Sequence, residues 1–578
     1  MLKLSRWLPC YQWLSIYNRV TLKDDLMAGI IVAIMLIPQS LAYAMLAGLP
    51  AEVGLYSSVL PLVIYGLFGT SSTLSVGPVA VTSLMTASAL ANIAAQGTAD
   101  YLTAAIALAA LSGGILLLGG ILGLGFLAKF LSHTVVSAFV SASAIIIAFA
   151  QLRQLTGLEL DEQGSLALAS GVISGATSIN PMTAVIGFSV LAYLWLIRKH
   201  GKTLFTKLGL PEKVAALSVK AAPIVAIIVT IVLATALGLD GKGVTIVGEI
   251  PSGLPPLSVP IFSSGLLGEL LVPACLISLI GFVESVSVGR TLGAKKRERI
   301  NENQELIGLG AANLASSMSG GFPVTGGFSR SVVNFDAGAA TQASSFVAAF
   351  FIGLVSVFLT PYLYHLPIAT LAATIIVAVL SLVDLSILKK TWKYSKSDFS
   401  AVALTLMVTL MFGVEVGVSS GVFLSLFLHL YRTSNPHIAE VGVVDGTEHF
   451  RNVRRFKVDS LPNAIMLRVD ESLFFANAVA LEERILCEVF SRDEIAHVVL
   501  VCSAINEVDF SALEVLELLN RQLHEQGICL HLAEVKGPVL DRFRNTHFFA
   551  DLTGNVYLSQ FSAFEDIRSF SGYRGSSE

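Results

Sequence analysis

The sequence predicts a polytopic α-helical membrane protein followed by a soluble α/β domain. Residues 26–431 consist of long apolar runs separated by short polar stretches, whereas residues 440–565 have the charge density of a soluble domain. Only 13% of the whole chain is charged, against about 25% in a typical soluble domain. A helix that spans a membrane needs about 20 apolar residues, and fourteen segments, several of them short, fit the first region.

The candidate spans form two sets of seven. They cover residues 26–47, 53–69, 79–96, 101–127, 132–152, 180–198, 218–238, 264–290, 303–319, 329–337, 341–361, 367–383, 399–412 and 415–431. An odd number of spans in each set turns the second set upside down relative to the first. This is the arrangement of an inverted repeat, which many transporters share.

Clusters of lysine and arginine predict the orientation, because cytoplasmic loops collect positive charge. Such clusters occupy residues 198–202, 295–299 and 389–396, after spans six, eight and twelve. All three fall on the cytoplasmic side if the N-terminus is cytoplasmic, and the C-terminus is then cytoplasmic as well. The expected domains are a cytoplasmic segment 1–25, a membrane domain 26–431, a linker and start of the soluble domain 432–460, the soluble domain 461–565 and a disordered tail 566–578.

The soluble region alternates strands with helices. Strands are predicted at residues 465–469, 497–502 and 528–532, with helices at 478–490 and 511–522. This order is typical of an α/β sheet with parallel strand pairs. Ser511 is expected to cap the second helix, and a phosphorylation site is the alternative.

Several classes of function are disfavoured by the composition. The five cysteines show no paired spacing, so we expect neither a metal site nor a disulfide framework, and no cofactor. No basic patch with interleaved aromatic residues is present, so a nucleic-acid partner is not expected. The glycine-rich run 119–125 lies inside an apolar segment, which favours close helix packing over a dinucleotide loop.

Two Gly/Pro breaks interrupt apolar segments at matching places in the two halves. Pro78 and Pro323 are 245 residues apart, and the same offset relates residues 39–40 to residues 284–285. Paired interruptions of this kind are the best indication in a sequence of the binding site of a two-repeat transporter. The alternative is that the prolines only kink packed helices.

The residues that follow each break favour an anion. Val79 and either Phe328 or Ser329 would each start a half-helix inside the membrane, and helix starts have free N–H groups and a positive dipole end. Ser329 and Arg330 add a hydroxyl group and a fixed positive charge. The pattern predicts a site for a small anion that accepts several hydrogen bonds.

Glu284 lies deep in the eighth span, where a charged group is costly and commonly functional. Its counterpart in the first half is Gln39, the neutral isostere. Burial favours the protonated form of a carboxylate, so we expect Glu284 to carry a coupling proton or to hold a cation beside the substrate. The alternative is a structural carboxylate paired with Arg330 or Arg290.

These motifs together resemble the SulP sulfate-permease family, the bacterial relatives of solute-carrier family twenty-six. The resemblance covers nearly the whole chain and rests on residues 38–44, 54–58, 69–72, 74–78, 282–285 and 323–330. Residues 474–478 and 509–513 resemble a STAS domain. Two departures matter, because the family usually has a basic residue at Ser72, and sodium-coupled members have a threonine where this chain has Val288.

The resemblance implies a fold of core and gate domains, an elevator-like motion and a homodimer in a bacterial inner membrane. By correspondence, the residues that line the anion site are Gln39, Tyr43, Val79, Phe328, Ser329 and Arg330, with Glu284 as the proton-coupling group. We expect a secondary active transporter rather than an enzyme, with sulfate carried by proton symport. The alternatives are a bicarbonate or C4-dicarboxylate transporter, an anion exchanger, or a membrane-anchored STAS signalling receptor.

Overall fold

The structure, a computed structural model, describes residues 8–15, 17–91, 93–129, 132–158, 179–209, 211–262, 264–492 and 494–573. The chain forms two compact units that divide between Ser425 and Leu426. The first unit is almost entirely helical, and the second contains a mixed sheet with helices.

The first half of the helical unit runs from the N-terminus to residue 242. Its elements are α1 (Cys10–Leu14), α2 (Arg19–Leu46), α3 (Ala51–Phe68), β1 (Val76–Gly77), α4 (Ala80–Leu90), α5 (Ala99–Ile121), α6 (His133–Thr156), α7 (Pro181–Lys207), α8 (Glu212–Lys220) and α9 (Ala222–Leu237), with 3₁₀ turns at Leu124–Lys129 and Asp240–Lys242.

The second half repeats the pattern of a helix pair, a two-residue strand and a short helix. Its elements are α10 (Ser264–Lys296), α11 (Glu302–Met318), β2 (Thr325–Gly326), α12 (Phe328–Asp336), α13 (Ala343–Phe358), α14 (Ile368–Leu380), α15 (Ser386–Tyr394), α16 (Lys396–Phe412) and α17 (Val414–Ser434), with a 3₁₀ turn at Thr360–Leu363.

Every predicted span overlaps a helix of the structure. Within the described residues, α2, α3, α5, α6, α7 and α10 are long and apolar enough to cross a membrane, and α4, α9, α13 and α14 are shorter apolar helices. The prediction of a multi-pass helical membrane protein is confirmed, while the number of fourteen spans stays a prediction.

Helix α2 begins earlier than the expected boundary between residues 25 and 26. The Asn18 side chain accepts hydrogen bonds from the N–H groups of Val20 and Thr21, and Thr21 Oγ1 accepts one from the Asn18 N–H, so the helix starts at Arg19. Asp25 is fully buried and accepts three hydrogen bonds of 2.6 to 2.9 Å from Ala340 and Thr341. Residues 19–25 therefore belong to the same helix as the first predicted span, while the boundary of the membrane domain at residue 26 stays a prediction.

The soluble unit is built on a six-stranded sheet. Its elements are β3 (Ile438–Val443), β4 (Phe450–Asn452), β5 (Ala464–Val469), α18 (Ala478–Phe490), β6 (His497–Val501), α19 (Phe510–Glu525), β7 (Cys529–Ala533), α20 (Gly537–Arg544), α21 (Phe548–Asp551), β8 (Val556–Tyr557) and α22 (Gln560–Tyr573). The strand order is β4-β3-β5-β6-β7-β8, with β5 to β8 parallel and β3 antiparallel to both of its neighbours.

The three predicted strands and two predicted helices of this unit are present in the structure. Strands β3 and β4 lie within residues 432–460, which were expected to hold a linker and the start of the domain. The prediction of a disordered tail is wrong for residues 566–573, because α22 continues to Tyr573 and packs Ala563, Phe564 and Ile567 against the sheet. Residues 574–578 lie outside the described residues.

Candidate anion site

The two Gly/Pro breaks meet as a short pair of antiparallel strands. Val76 pairs with Gly326, and Gly77 pairs with Thr325. The pairing continues on one side, where the Gly327 N–H donates to the Ser75 carbonyl at 3.1 Å. Segments from the two halves of the helical unit therefore cross at one point in its interior.

Each strand leads into a helix start that has no side-chain cap. Helix α4 starts after Val79 and helix α12 after Gly327, and neither N-cap residue has a capping hydrogen bond. The first donors within the helices are Ser83, to the Val79 carbonyl at 2.9 Å, and Ser331, to the Gly327 carbonyl at 3.0 Å. The N–H groups before them have no partner within their helices, so two positive helix ends lie beside the strand crossing.

The side chain of Arg330 contacts both strands. Its side chain is only 2% exposed, and Nη2 donates to the carbonyls of Gly77 at 3.1 Å and Thr325 at 3.4 Å. Nη1 is buried and has no hydrogen-bond partner in the described part of the chain. A Cβ on Gly77 would lie 2.7 Å from Nη1, and one on Gly327 would lie 2.7 Å from Nε, so both glycines leave room for the guanidinium group.

Glu284 is held beside the crossing by its neighbour Ser285. The Ser285 hydroxyl contacts Thr325 Oγ1 at 2.8 Å and accepts a hydrogen bond from the Gly326 N–H at 2.9 Å. One carboxylate oxygen of Glu284, Oε2, is buried without a hydrogen-bond partner among the described residues. Glu284 and Arg330 interact electrostatically.

Neither ion pair considered for Glu284 is present within 4.0 Å among the described residues. Arg290 pairs with Glu302 instead, and Arg330 donates to backbone carbonyls. The structure thus gives no support to the alternative in which Glu284 is a paired structural carboxylate.

The other predicted site residues occupy two places. Tyr43 is 8% exposed and interacts electrostatically with both Arg330 and Glu284. Gln39 and Ser329 line a common cavity of about 220 Å³ that also contacts Arg198 and Lys220. The structure therefore brings Gln39 and Ser329 together and places Tyr43 near the two charges.

The two remaining residues differ in exposure. Val79 is buried as the residue that precedes α4, whereas Phe328 is 46% exposed as the first residue of α12. At these two positions a ligand can accept hydrogen bonds from the backbone N–H groups, whereas the apolar side chains donate none.

Several buried side chains outside the predicted site hold the strands and the neighbouring segments in place. The Ser331 hydroxyl accepts from the Ser75 N–H at 3.0 Å, and Thr325 Oγ1 donates to the Gly281 carbonyl at 2.7 Å. Buried Glu305 accepts from Tyr65 and from both the N–H and the hydroxyl of Thr70 at 2.5 to 2.9 Å. Only contacts between distant segments reveal these roles, and no local pattern indicates them.

Ser72, where the family usually has a basic residue, contacts a lysine from another segment. The Lys296 ammonium group donates to the Ser72 hydroxyl at 2.7 Å and to the Ala339 carbonyl at 2.7 Å. Ser72 in turn donates to the Glu298 carboxylate at 2.7 Å. Lys296 also pairs with Glu298 at 3.4 Å, so Ser72 contacts an ion pair rather than an unpaired positive charge.

Ser511 does not cap the second helix of the soluble unit, so that prediction is wrong. The cap is Asp509, whose carboxylate accepts from the Ala512 N–H at 2.8 Å. Ser511 is exposed in the first turn of α19, and its phosphorylation stays a prediction. No cluster of three or more His, Cys, Asp or Glu residues that could hold a metal ion occurs among the described residues.

Comparisons with known proteins agree with this architecture. Residues 22–405 match the model of the sulfate permease family, and residues 455–563 match the STAS domain. A probable sulfate transporter of Mycobacterium tuberculosis is 33% identical over 558 residues, which cover 94% of this chain and 97% of that protein. The chloroplastic sulfate transporter 4.1 of Arabidopsis thaliana is 35% identical over 538 residues, covering 91% and 77% of the two chains.

Solved structures show the same fold. Murine Solute Carrier 26 family member A9, an anion transporter in the inward-facing state, aligns with a TM-score of 0.88 at 22% identity, covering 98% of this chain and 95% of that one. The transmembrane domain of the cyanobacterium bicarbonate transporter BicA aligns with a TM-score of 0.60 at 24% identity, covering 69% and 98%.

Proposed function

This chain belongs to the sulfate permease family, and from that premise we propose that it is a secondary active transporter of a small inorganic anion, sulfate by proton symport. The observation that carries the proposal is the buried guanidinium group of Arg330, whose Nη1 has no partner in the described part of the chain. Two uncapped helix starts lie beside it. A tetrahedral oxyanion can accept hydrogen bonds from all of these donors at once.

Proton coupling is assigned to Glu284. A proton on this half-buried carboxylate would change the charge beside Arg330 by one unit, which links anion binding to proton binding. Coupling to sodium is less well supported, because Val288 is buried in an apolar cluster and has no oxygen to offer as a ligand. An elevator-like motion, a homodimer, a bacterial inner membrane and cytoplasmic termini belong to the same proposal.

Uptake of radiolabelled sulfate into proteoliposomes tests the function. We expect saturable uptake that rises when a pH gradient is imposed and that unlabelled sulfate inhibits. Stronger inhibition by bicarbonate or fumarate than by sulfate would identify a different anion in the same site. Absence of flux for every anion tested would contradict transport and favour a signalling receptor.

Arg330→Ala tests the site itself. We expect sulfate affinity to fall by roughly 30-fold or more, because removal of one member of a buried charged contact costs ~2–5 kcal/mol. Arg153→Ala is the matched control, because Arg153 is an exposed arginine at the end of α6. Equal sulfate affinity in the Arg330→Ala variant and the wild type would show that the anion binds elsewhere.

A further inference from the structure

The edge of the soluble sheet carries a dense group of positive charges. Residues 451–457 contain four basic side chains, and β4, which starts this segment, is an edge strand. Because β4 runs antiparallel to β3, with Asn452 opposite Val441, the segment after β4 lies beside the start of β3. The Val453 N–H donates to the Glu440 carbonyl at 3.1 Å, which extends this contact.

Two of these basic residues, Arg451 and Arg455, line a pocket of about 390 Å³. Its walls are formed by His437, Arg451, Asn452, Arg455, Phe456, Arg468 and Asp470. The single acidic group of the pocket, Asp470, is already occupied, because its carboxylate contacts Arg468 Nε at 2.6 Å and His437 Nδ1 at 2.8 Å. Arg451 and Arg455 have no ion pair with any described residue, so the pocket has an excess of positive charge.

The pocket lies close to the end of the last predicted span. Within the same compact unit, the Thr433 carbonyl in the last turn of α17 accepts a hydrogen bond from Asn477 Nδ2 at 3.3 Å. Helix α17 ends at Ser434, and His437, which lines the pocket, follows three residues later. Three extended residues reach at most about 10 Å, which is comparable with the depth of a lipid headgroup layer.

We propose that this pocket binds the phosphate headgroup of an anionic phospholipid from the leaflet in which α17 ends. Guanidinium groups bind phosphate through two parallel hydrogen bonds, and Arg451 and Arg455 are the arginines available for it. Basic residues next to the end of a spanning helix are a recurrent site for acidic lipids. The lipid would tie the start of the soluble domain to the bilayer, independently of transport at Arg330.

Native mass spectrometry of the full-length protein in detergent micelles tests this site. The probes are dioctanoyl phosphatidylglycerol, dioctanoyl phosphatidylcholine and inorganic phosphate. The double variant Arg451→Gln/Arg455→Gln should bind one phosphatidylglycerol fewer than the wild type, or bind it at least roughly tenfold more weakly, because two basic contacts are lost.

The control variant Arg544→Gln/Arg568→Gln removes the same charge from two other exposed arginines of the soluble unit. This control variant should bind phosphatidylglycerol like the wild type. The variant Arg451→Lys/Arg455→Lys keeps the positive charge and should also bind like the wild type, which would show that substitution at these positions leaves the fold intact. Phosphatidylcholine should not bind to this site.

Three results would overturn the proposal. An unchanged lipid count in the glutamine variant would mean that the arginines only protect the sheet edge from pairing with other strands. Equal losses in the glutamine and control variants would indicate a general charge effect. Displacement of phosphatidylglycerol by inorganic phosphate at equal concentration would identify a free phosphate site instead of a lipid site.

Discussion

At the residue scale, the arginine and the glutamate beside the strand crossing both come from one half of the chain. Arg330 and Glu284 both belong to the second half, whereas the first half offers Gln39 at the position that matches Glu284 and, after its own break, the backbone around Val79. Arg330 is fixed by two carbonyl acceptors, while one oxygen of Glu284 has no partner among the described residues. The fixed guanidinium group suits the binding of an anion. The carboxylate, which can take up a proton, suits the coupling of transport to protons.

Glu284→Gln separates these two roles. The carboxamide has the shape of the carboxylate but cannot take up a proton, so we expect anion binding to persist while accumulation driven by a pH gradient is lost. Sulfate uptake and equilibrium binding are measured in the same proteoliposomes. Glu269→Gln, at an exposed position of the same helix, is the control. Accumulation against a gradient in the Glu284→Gln variant would refute the coupling role.

His531 makes the stability of the soluble unit depend on pH. The Asn555 N–H donates to His531 Nδ1 at 2.9 Å, so the neutral ring carries its hydrogen on Nε2, which lies 3.1 Å from His497 Nδ1. Burial and the nearby His497 lower the pKa of His531 to about 4. Below pH ~6.5, His531 takes up a proton in the unfolded chain but stays neutral in the folded unit. The free energy of unfolding therefore decreases as pH falls toward 4, by up to about 3 kcal/mol.

Hydrogen exchange of β7, corrected for the intrinsic rate at each pH, measures this loss in the full-length protein. We expect protection to decrease between pH 7 and pH 4.5, and His531→Asn to make that decrease shallower because asparagine does not titrate. His524→Asn, at an exposed position in the last turn of α19, should keep the wild-type dependence. The same pH profile in both variants would rule out His531 as the cause.

At the scale of the elements, each half of the helical unit contains a two-residue strand followed by a short helix, β1 with α4 and β2 with α12. The number of residues that separates these two helices differs from the number that separates the two prolines. Pro78 and Pro323 are 245 residues apart, but α4 and α12 start at Ala80 and Phe328, which are 248 apart. The offsets differ because Pro78 directly follows β1, whereas Pro323 precedes β2 with only Val324 between them. Asn313 Oδ1 accepts from the Val324 N–H at 2.9 Å, and Asn313 Nδ2 donates to the Val324 carbonyl at 2.8 Å. The second break is therefore held by α11 as well as by β1.

Gly77→Ala tests whether the strand crossing positions Arg330. The added methyl group would lie 2.7 Å from Nη1, so the guanidinium group must move away from the site. We expect sulfate affinity to fall by roughly tenfold, the loss of about one hydrogen bond to a charged group. Gly114→Ala in α5 has no atom within 4 Å of the new methyl group and should leave affinity unchanged. Wild-type affinity in Gly77→Ala would show that the position of Nη1 is unimportant.

Local signals in the sequence explain which elements could be predicted. The starts of α4 and α12 follow directly from the Gly/Pro breaks and are correct to within one residue. The pairing of β1 with β2 could not be predicted, because it joins strands of two residues from distant parts of the chain. Asp509 and Ser511 are both of residue types that cap helices, and only the backbone geometry places the cap at Asp509.

At the scale of the whole helical unit, an ion pair joins α8 to α12, the helix that contains Ser329 and Arg330. Lys220 ends α8, Asp336 ends α12, and their Nζ and Oδ2 atoms are 3.3 Å apart. Lys220 also lines the cavity that contains Gln39 and Ser329. A partly exposed ion pair contributes little to the free energy of unfolding, about 0–1 kcal/mol. The question that this pair raises is whether it breaks during transport.

Cross-linking of these two positions tests for relative motion of α8 and α12. In the proposed elevator-type cycle α12 moves with the anion site, and we expect α8 to stay behind. A short bifunctional thiol reagent on Lys220→Cys/Asp336→Cys should then stop sulfate uptake. Transport should return when the link is cleaved by a reductant. The two single-cysteine variants treated with the same reagent control for modification alone and for the five native cysteines. If the cross-linked protein transports at the wild-type rate, α8 and α12 move as one body, and alternating access must arise elsewhere in the helical unit.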